Sequence, residues 1–170
     1  FTSTTPPPGN NSVSAIHLFA TGRISREDPN PGLSSYQLGV ADNGQGTGGR
    51  EIVIPKTGTD GYILAGAHIL VVKNVEQTKA FLTQGCFDKF DYVVLAGALL
   101  SHDGNDAVEL YHSWDGVNWI GPPSDVFGDP NIDGTNESWE YTDSWAWREV
   151  VPTSGTPATF NVNEWTIAPK

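Results

Sequence analysis

The chain has 170 residues, the size of one domain, and such a length buries a core without covalent staples. Its 9 basic and 20 acidic side chains give a formal net charge of -11, which repels phosphate backbones, excludes nucleic acid as a natural partner and favours hard divalent cations. A hydrophobic share of 38% with six Trp excludes wholesale disorder; one Cys excludes an intrachain disulfide, and the absence of a long apolar run argues against membrane insertion.

Residues 1–12 (FTSTTPPPGNNS) form a Pro/Thr-rich extended arm, because three consecutive prolines favour polyproline II and forbid a helix. A chain opening on Phe1 is expected to have been trimmed from a longer product, as on export. Residues 13–170 are expected to make one β-sandwich domain. Its first strand is residues 13–20 (VSAIHLFA), followed by a loop over 22–33 with two prolines and two glycines. A strand at 35–40 leads into the glycine-rich run ADNGQGTGG at 41–49. That run lacks the lysine and the strand–loop–helix setting of a phosphate loop, so it reads as a connection.

Short strands are expected at 51–54, closed by Pro55, and at 62–65 and 68–73. Residues 75–84 (VEQTKAFLTQ) are the one helix, with Gly85 as its C-cap. Cys86, in a mixed apolar stretch, reads as a small buried hydrophobe. Strands follow at 92–95, 107–111 (AVELY, alternating), 116–120, 126–127, 145–150 and 163–167. Trp145 and Trp147, two apart in a strand, share a face, and with Tyr141 they are expected to lock the core. Many short strands separated by Gly, Pro and Asn turns, with no alternating βα pattern, spell an all-β sandwich or barrel with one short helix.

The most specific motif runs from Asp129 to Glu140 (DPNIDGTNESWE). Counted from Asp129, oxygen side chains fall at alternate positions Asp129, Asn131 and Asp133, glycine follows at Gly134, and Glu140 closes the pattern D-x-[DN]-x-[DN]-G-x5-E. Calcium takes six to eight oxygens at about 2.3–2.6 Å, and such a spacing turns alternate side chains inward. The expected ligands are Asp129, Asn131, Asp133, Thr135 through its carbonyl, and Glu140, with Glu137 near or through water. The flanks read as strands and turns, so the loop resembles an EF-hand loop carried by a β scaffold. The bland alternative is a surface turn rich in Gly, Asn and Asp, whose acids cap turns or pair with Arg148.

A second acidic cluster, Asp103, Asn105 and Asp106, precedes the AVELY strand and reads as an ordinary turn. Asp125 and Asp143 flank the main loop as candidate outer carboxylates. His17, His68, His102 and His112 show no local zinc spacing, and no nucleophile motif points to an enzyme. Trp114, Trp119, Trp139, Trp145 and Trp147 are the side chains available to stack on glycans; the commoner use of such a set is core and loop packing. Asn10 and Asn136 stand in N-x-S sequons and are candidate glycosylation sites.

Three runs, GNDAVELYHSWDG, SDVFGDPNIDGTNESWEYTDSWAWR and FNVNEWTIAP, together resemble the lamin-tail-like domains of secreted and cell-surface proteins. The resemblance covers residues 60–168 in the order of its motifs. It implies an immunoglobulin-like β-sandwich and a non-catalytic module for attachment or assembly. The expected function is a calcium-stabilised extracellular structural or adhesive module that associates with itself or with other surface proteins. The alternative is an accessory or carbohydrate-binding module of a larger secreted hydrolase.

Overall fold

The structure, a computed structural model, describes residues 13–22, 36–46, 51–54, 63–112, 122–150 and 158–168. The elements are β1 (Ala15–Phe19), β2 (Tyr36–Ala41), β3 (Ile52–Val53), β4 (His68–Val72), α1 (Val75–Leu82), α2 (Gln84–Phe87), β5 (Tyr92–Leu95), β6 (Ala107–His112), β7 (Asp125–Phe127), β8 (Ala146–Arg148) and β9 (Trp165–Ile167). The arm 1–12 with Asn10, the strand expected at 116–120, Trp114 and Trp119 lie outside the described residues. The fold is β-rich, with few short helices.

One sheet has the order β1-β4-β5, and β4 runs parallel to β5. A parallel neighbour needs a crossover, and α1 and α2 supply it. Strand, helices and strand thus form a βαβ unit, in a chain whose sequence shows no alternating βα pattern. Asn74 caps α1, accepting from the Gln77 amide at 3.0 Å. The helix expected over 75–84 breaks at Thr83, whose φ is 63°. Gly85 therefore lies inside α2 instead of capping α1. The single turn of α2 sends Phe87 inward and leaves Cys86 exposed, which overturns its reading as a buried hydrophobe.

The apolar run of β4 has a reason in this layering. Leu70 and Val72 pack with Phe87 on the helical side, and Ile69 and Val71 enter the main core on the other. A strand covered on both faces reads as a continuous apolar run. Each such fully buried side chain contributes about 1.5–3 kcal/mol.

The second sheet is antiparallel, in the order β3-β2-β6-β7. It meets the first through Leu38, Val40 and Ile52, which share one cluster with Ile69, Val71 and Val94. Val108 and Leu110 of β6 pack against that cluster. The alternation of β6 places Ala107, Glu109 and Tyr111 on the opposite face, where they are also buried. Tyr111 donates its hydroxyl to Glu109 Oε2 at 2.8 Å, which satisfies a polar group that is costly to bury alone.

A ribbon of β8 and β9 adds an aromatic cluster at the β7 edge. Phe127 meets Trp139, Tyr141, Phe160 and Trp165 edge to face, with ring centroids 4.7–5.8 Å apart. The packing tryptophan of the acidic loop is Trp139, 4% exposed, whereas Trp145 and Trp147 are 51% and 54% exposed. This corrects the expectation that Trp145 and Trp147 lock the core. The parity of β8 is set by Arg148, which points inward to bond Asp125 and Glu164 and lies 4.7 Å from the Trp165 ring. Its neighbour in sequence, Trp147, must then point outward. Tyr141 does pack as expected, against Phe127.

Candidate cation site

Three loops meet at one end of the second sheet: the 3-10 turn Asp42–Gly44 after β2, residues 101–106 before β6, and the acidic loop 129–140 after β7. Backbone hydrogen bonds fasten them. Gly134 N donates to Asn105 O at 3.0 Å, Gly46 N to Pro130 O at 2.8 Å, and Tyr141 N to Gly104 O at 2.8 Å. Gly44 has φ of 71° and packs so closely that a Cβ there would lie 2.5 Å from the Asp133 amide nitrogen. Gly134 is glycine for space: a Cβ would lie 2.4 Å from the Trp139 ring and 2.5 Å from Asn105 O. The glycine that the motif requires for a turn thus also lets the loop seat on its neighbours and on the buried indole beneath.

Asp106, buried, accepts from the Asn43 amide at 2.7 Å and the Asp103 amide at 3.2 Å, tying the first two loops together. Its carboxyl is pushed above the usual range by burial, against the pull of those two amides. Ser101 donates to Asp42 at 2.6 Å. The cluster expected to be a plain turn is therefore the platform under the acidic loop.

Within the loop the oxygens divide. Asp129 turns back on Asn131, accepting from its amide N–H at 2.9 Å and from its side-chain amide at 3.3 Å. Asp133 accepts from the Thr135 amide at 3.0 Å and from its hydroxyl at 2.7 Å. These two bonds, the amide first, hold the Asp133 carboxyl below its usual range, and the charge of Glu140 opposes them. Glu140 accepts from the Asn136 amide and the Thr142 hydroxyl, each at 2.8 Å. Glu137 and Asn136 are exposed, Asn136 with φ of 65°. Among the described residues no three His, Cys, Asp or Glu side chains converge on one metal position.

The oxygens that do converge come from three loops. Asn105 Nδ2 lies 3.0 Å from Thr135 Oγ1, 3.4 Å from Asp133 Oδ1 and 3.5 Å from Asn43 Oδ1. Its own Oδ1 is buried and has no partner among the described residues. An NH2 group thus sits where three oxygens meet, while the oxygen of the same amide is stranded. Turning the amide over would put a fourth oxygen into the nest and leave the NH2 in the stranded oxygen's place, an exchange that only a cation at the centre would favour. With the amide turned, the donor set would be all oxygen, the chemistry that calcium prefers.

Of the residues singled out in the sequence, the structure brings Asp133 and Thr135 into this nest, with Glu140 close enough for its charge to act on Asp133. Asp129 and Asn131 pair with each other, and Thr135 meets Asp133 through its hydroxyl as well as its amide. Asn43 was not foreseen, and Asn105 was read only as part of a turn; an Asn beside Asp or Gly in a turn is too common a pattern to mark either as a contributor. The flanking Asp125 is taken by Arg148, and Asp143 is exposed with φ of 57°. Arg148 pairs with Asp125 and Glu164.

Comparison with protein-family models, curated proteins and solved structures finds no match for this chain. Among the described residues no helix is long and apolar enough to cross a membrane.

Proposed function

We propose that the chain is a non-catalytic, calcium-stabilised extracellular module of structural or adhesive kind, an immunoglobulin-like β-sandwich of the lamin-tail-like type. The observation that carries the reading is the oxygen nest of Asn43, Asn105, Asp133 and Thr135, built where three loops lock together. A cation there would tie those loops at their side chains as the glycine contacts tie them at the backbone. With Asp133 as the one carboxylate in the nest among the described residues and Glu140 beside it, the ligand charge is low. Low ligand charge goes with the weak calcium affinities of extracellular modules, roughly 10⁻⁴–10⁻³ M. Self-association or pairing with another surface protein would use the sheet edges: β1 and β5 end their sheet among the described residues, and open edges accept strands.

The test is to melt the full chain, stripped with a chelator, with and without added calcium, and to measure its molecular mass by sedimentation under both conditions. A calcium-raised melting temperature is expected, lost on Asp133→Ala. An unchanged melting temperature refutes calcium stabilisation, and a monomer at all concentrations with calcium present refutes self-assembly.

One observation favours the alternative of an accessory, carbohydrate-binding module. Trp145 and Trp147 stand exposed on one face of the β8–β9 ribbon, beside Thr166, whose hydroxyl bonds Glu149. Flat exposed indoles are the chemistry of stacking on neutral sugars. Retention on a neutral glycan column that Trp147→Ala abolishes would move the assignment to this reading.

A further inference from the structure

The sheet face on which Leu70 and Val72 meet Phe87 also carries His17, Phe19 and His68. In the β1–β4 register His17 stands opposite Leu70, and Phe19 opposite His68. The two histidines are therefore diagonal neighbours on one face of an antiparallel pair, within reach of long side chains. His17 Nε2 and His68 Nδ1 lie 2.9 Å apart, with the ring planes 22° from parallel. One neutral ring can donate a proton to the other across this gap; two protons cannot share it.

The surroundings fix both rings. Phe90 meets His17 edge-on with centroids 5.2 Å apart, and Phe19 leans on His68 at 5.1 Å. The His68 main chain is clamped by Asp91: its N–H donates to Asp91 Oδ2 at 2.8 Å, and its carbonyl accepts from the Asp91 amide at 2.9 Å. His17 stays open to solvent.

We propose that His17 and His68 bind one divalent transition-metal ion of the zinc–copper class through His17 Nε2 and His68 Nδ1, the proton that lay between them moving to the far nitrogen of the ring that carried it, with water completing the coordination. Imidazole nitrogen is a preferred ligand of these ions, whereas the all-oxygen nest at the loops suits calcium. Two nitrogens at about 2.0–2.1 Å from a tetrahedral zinc are roughly 3.3 Å apart. The 2.9 Å gap therefore opens by about 0.4 Å, a small side-chain adjustment at an exposed edge strand. The excess of acidic side chains over the whole chain draws cations to it. A local motif search misses this site because the two ligands are on strands 51 residues apart in sequence.

The test uses the full chain, stripped with a chelator and then saturated with calcium so that the loop site does not compete. Zinc alone is titrated in by calorimetry. One saturable site is expected, weakened roughly tenfold or more in both His17→Gln and His68→Gln and unchanged in His112→Gln. Absence of zinc binding, or Gln variants that bind as tightly as the unaltered chain, overturns the proposal. Because either Gln variant could disturb β1, imidazole nitrogen resonances of the unaltered protein provide a second reading. Zinc is expected to shift His17 Nε2 and His68 Nδ1, and binding that leaves both unmoved places the ion elsewhere and overturns the proposal.

Discussion

His102 offers a stability test that depends on burial and on no ligand. The residue is 5% exposed, its ring lies 6.4 Å from that of Tyr141, and its Nε2 is buried with no partner among the described residues. Burial lowers its pKa from 6.5 to about 4; the nearby Asp103 charge works against this and Lys73 with it. Between those two pH values the unfolded chain carries a proton on His102 that the folded chain refuses. Stability is therefore lost as pH falls from 6.5 to about 4, and the loss levels off below that. A drop of that size, at about 1.4 kcal/mol per pH unit, corresponds to about 3 kcal/mol. Replacing His102 with Leu removes the penalty and the unpartnered nitrogen together. Urea unfolding followed by tryptophan fluorescence should give nearly equal stabilities at pH 7, within about 1 kcal/mol. Near the acid end of the window the variant should be the more stable by about 2–3 kcal/mol. Asp106, whose pKa is raised, acts in the opposite sense, since its protonation at low pH favours the folded state; it is present in both proteins and cancels in the difference. Parallel pH profiles of the two proteins would refute the reasoning.

The tryptophans should separate cleanly by melting temperature. Trp139→Ala empties the space under the acidic loop and should cost about 3–5 kcal/mol, whereas exposed Trp147→Ala should change stability by less than about 0.5 kcal/mol. Gly134→Ala forces a Cβ against the Asn105 carbonyl and the Trp139 ring. It should cost about 1–3 kcal/mol in urea unfolding, and calorimetry should show weaker calcium binding because Asn105 is displaced from the nest.

Much of the strand layout was legible in the sequence for identifiable reasons. The run HILVVK signals β4 because both of its faces are covered, and the alternation of AVELY signals β6 because its two faces meet different surroundings. The helix expected from residue 75 does begin at Val75. What the chain did not disclose depends on partners distant in sequence. The inward turn of Arg148 toward Asp125 and Glu164 decides that Trp147 faces solvent, and spacing alone fixes only that Trp145 and Trp147 share a face. Thr83 adopts a left-handed conformation uncommon for a β-branched residue, so the break between α1 and α2 has no propensity signal. At the candidate site the glycine and the alternating oxygens of 129–140 were legible, and Asp133 and Thr135 stand at the nest. Asn43 and Asn105 enter through the folding of two other loops onto this one, which a linear pattern does not record.

Calcium binding at the nest is tested most directly by isothermal titration of the chelator-stripped full chain, alongside Asp133→Ala. The account predicts one saturable, weak site in the unaltered protein, with a dissociation constant of roughly 10⁻⁴–10⁻³ M, and no such site in the variant. Absence of calcium heat in the unaltered protein, or equal binding by Asp133→Ala, would contradict it.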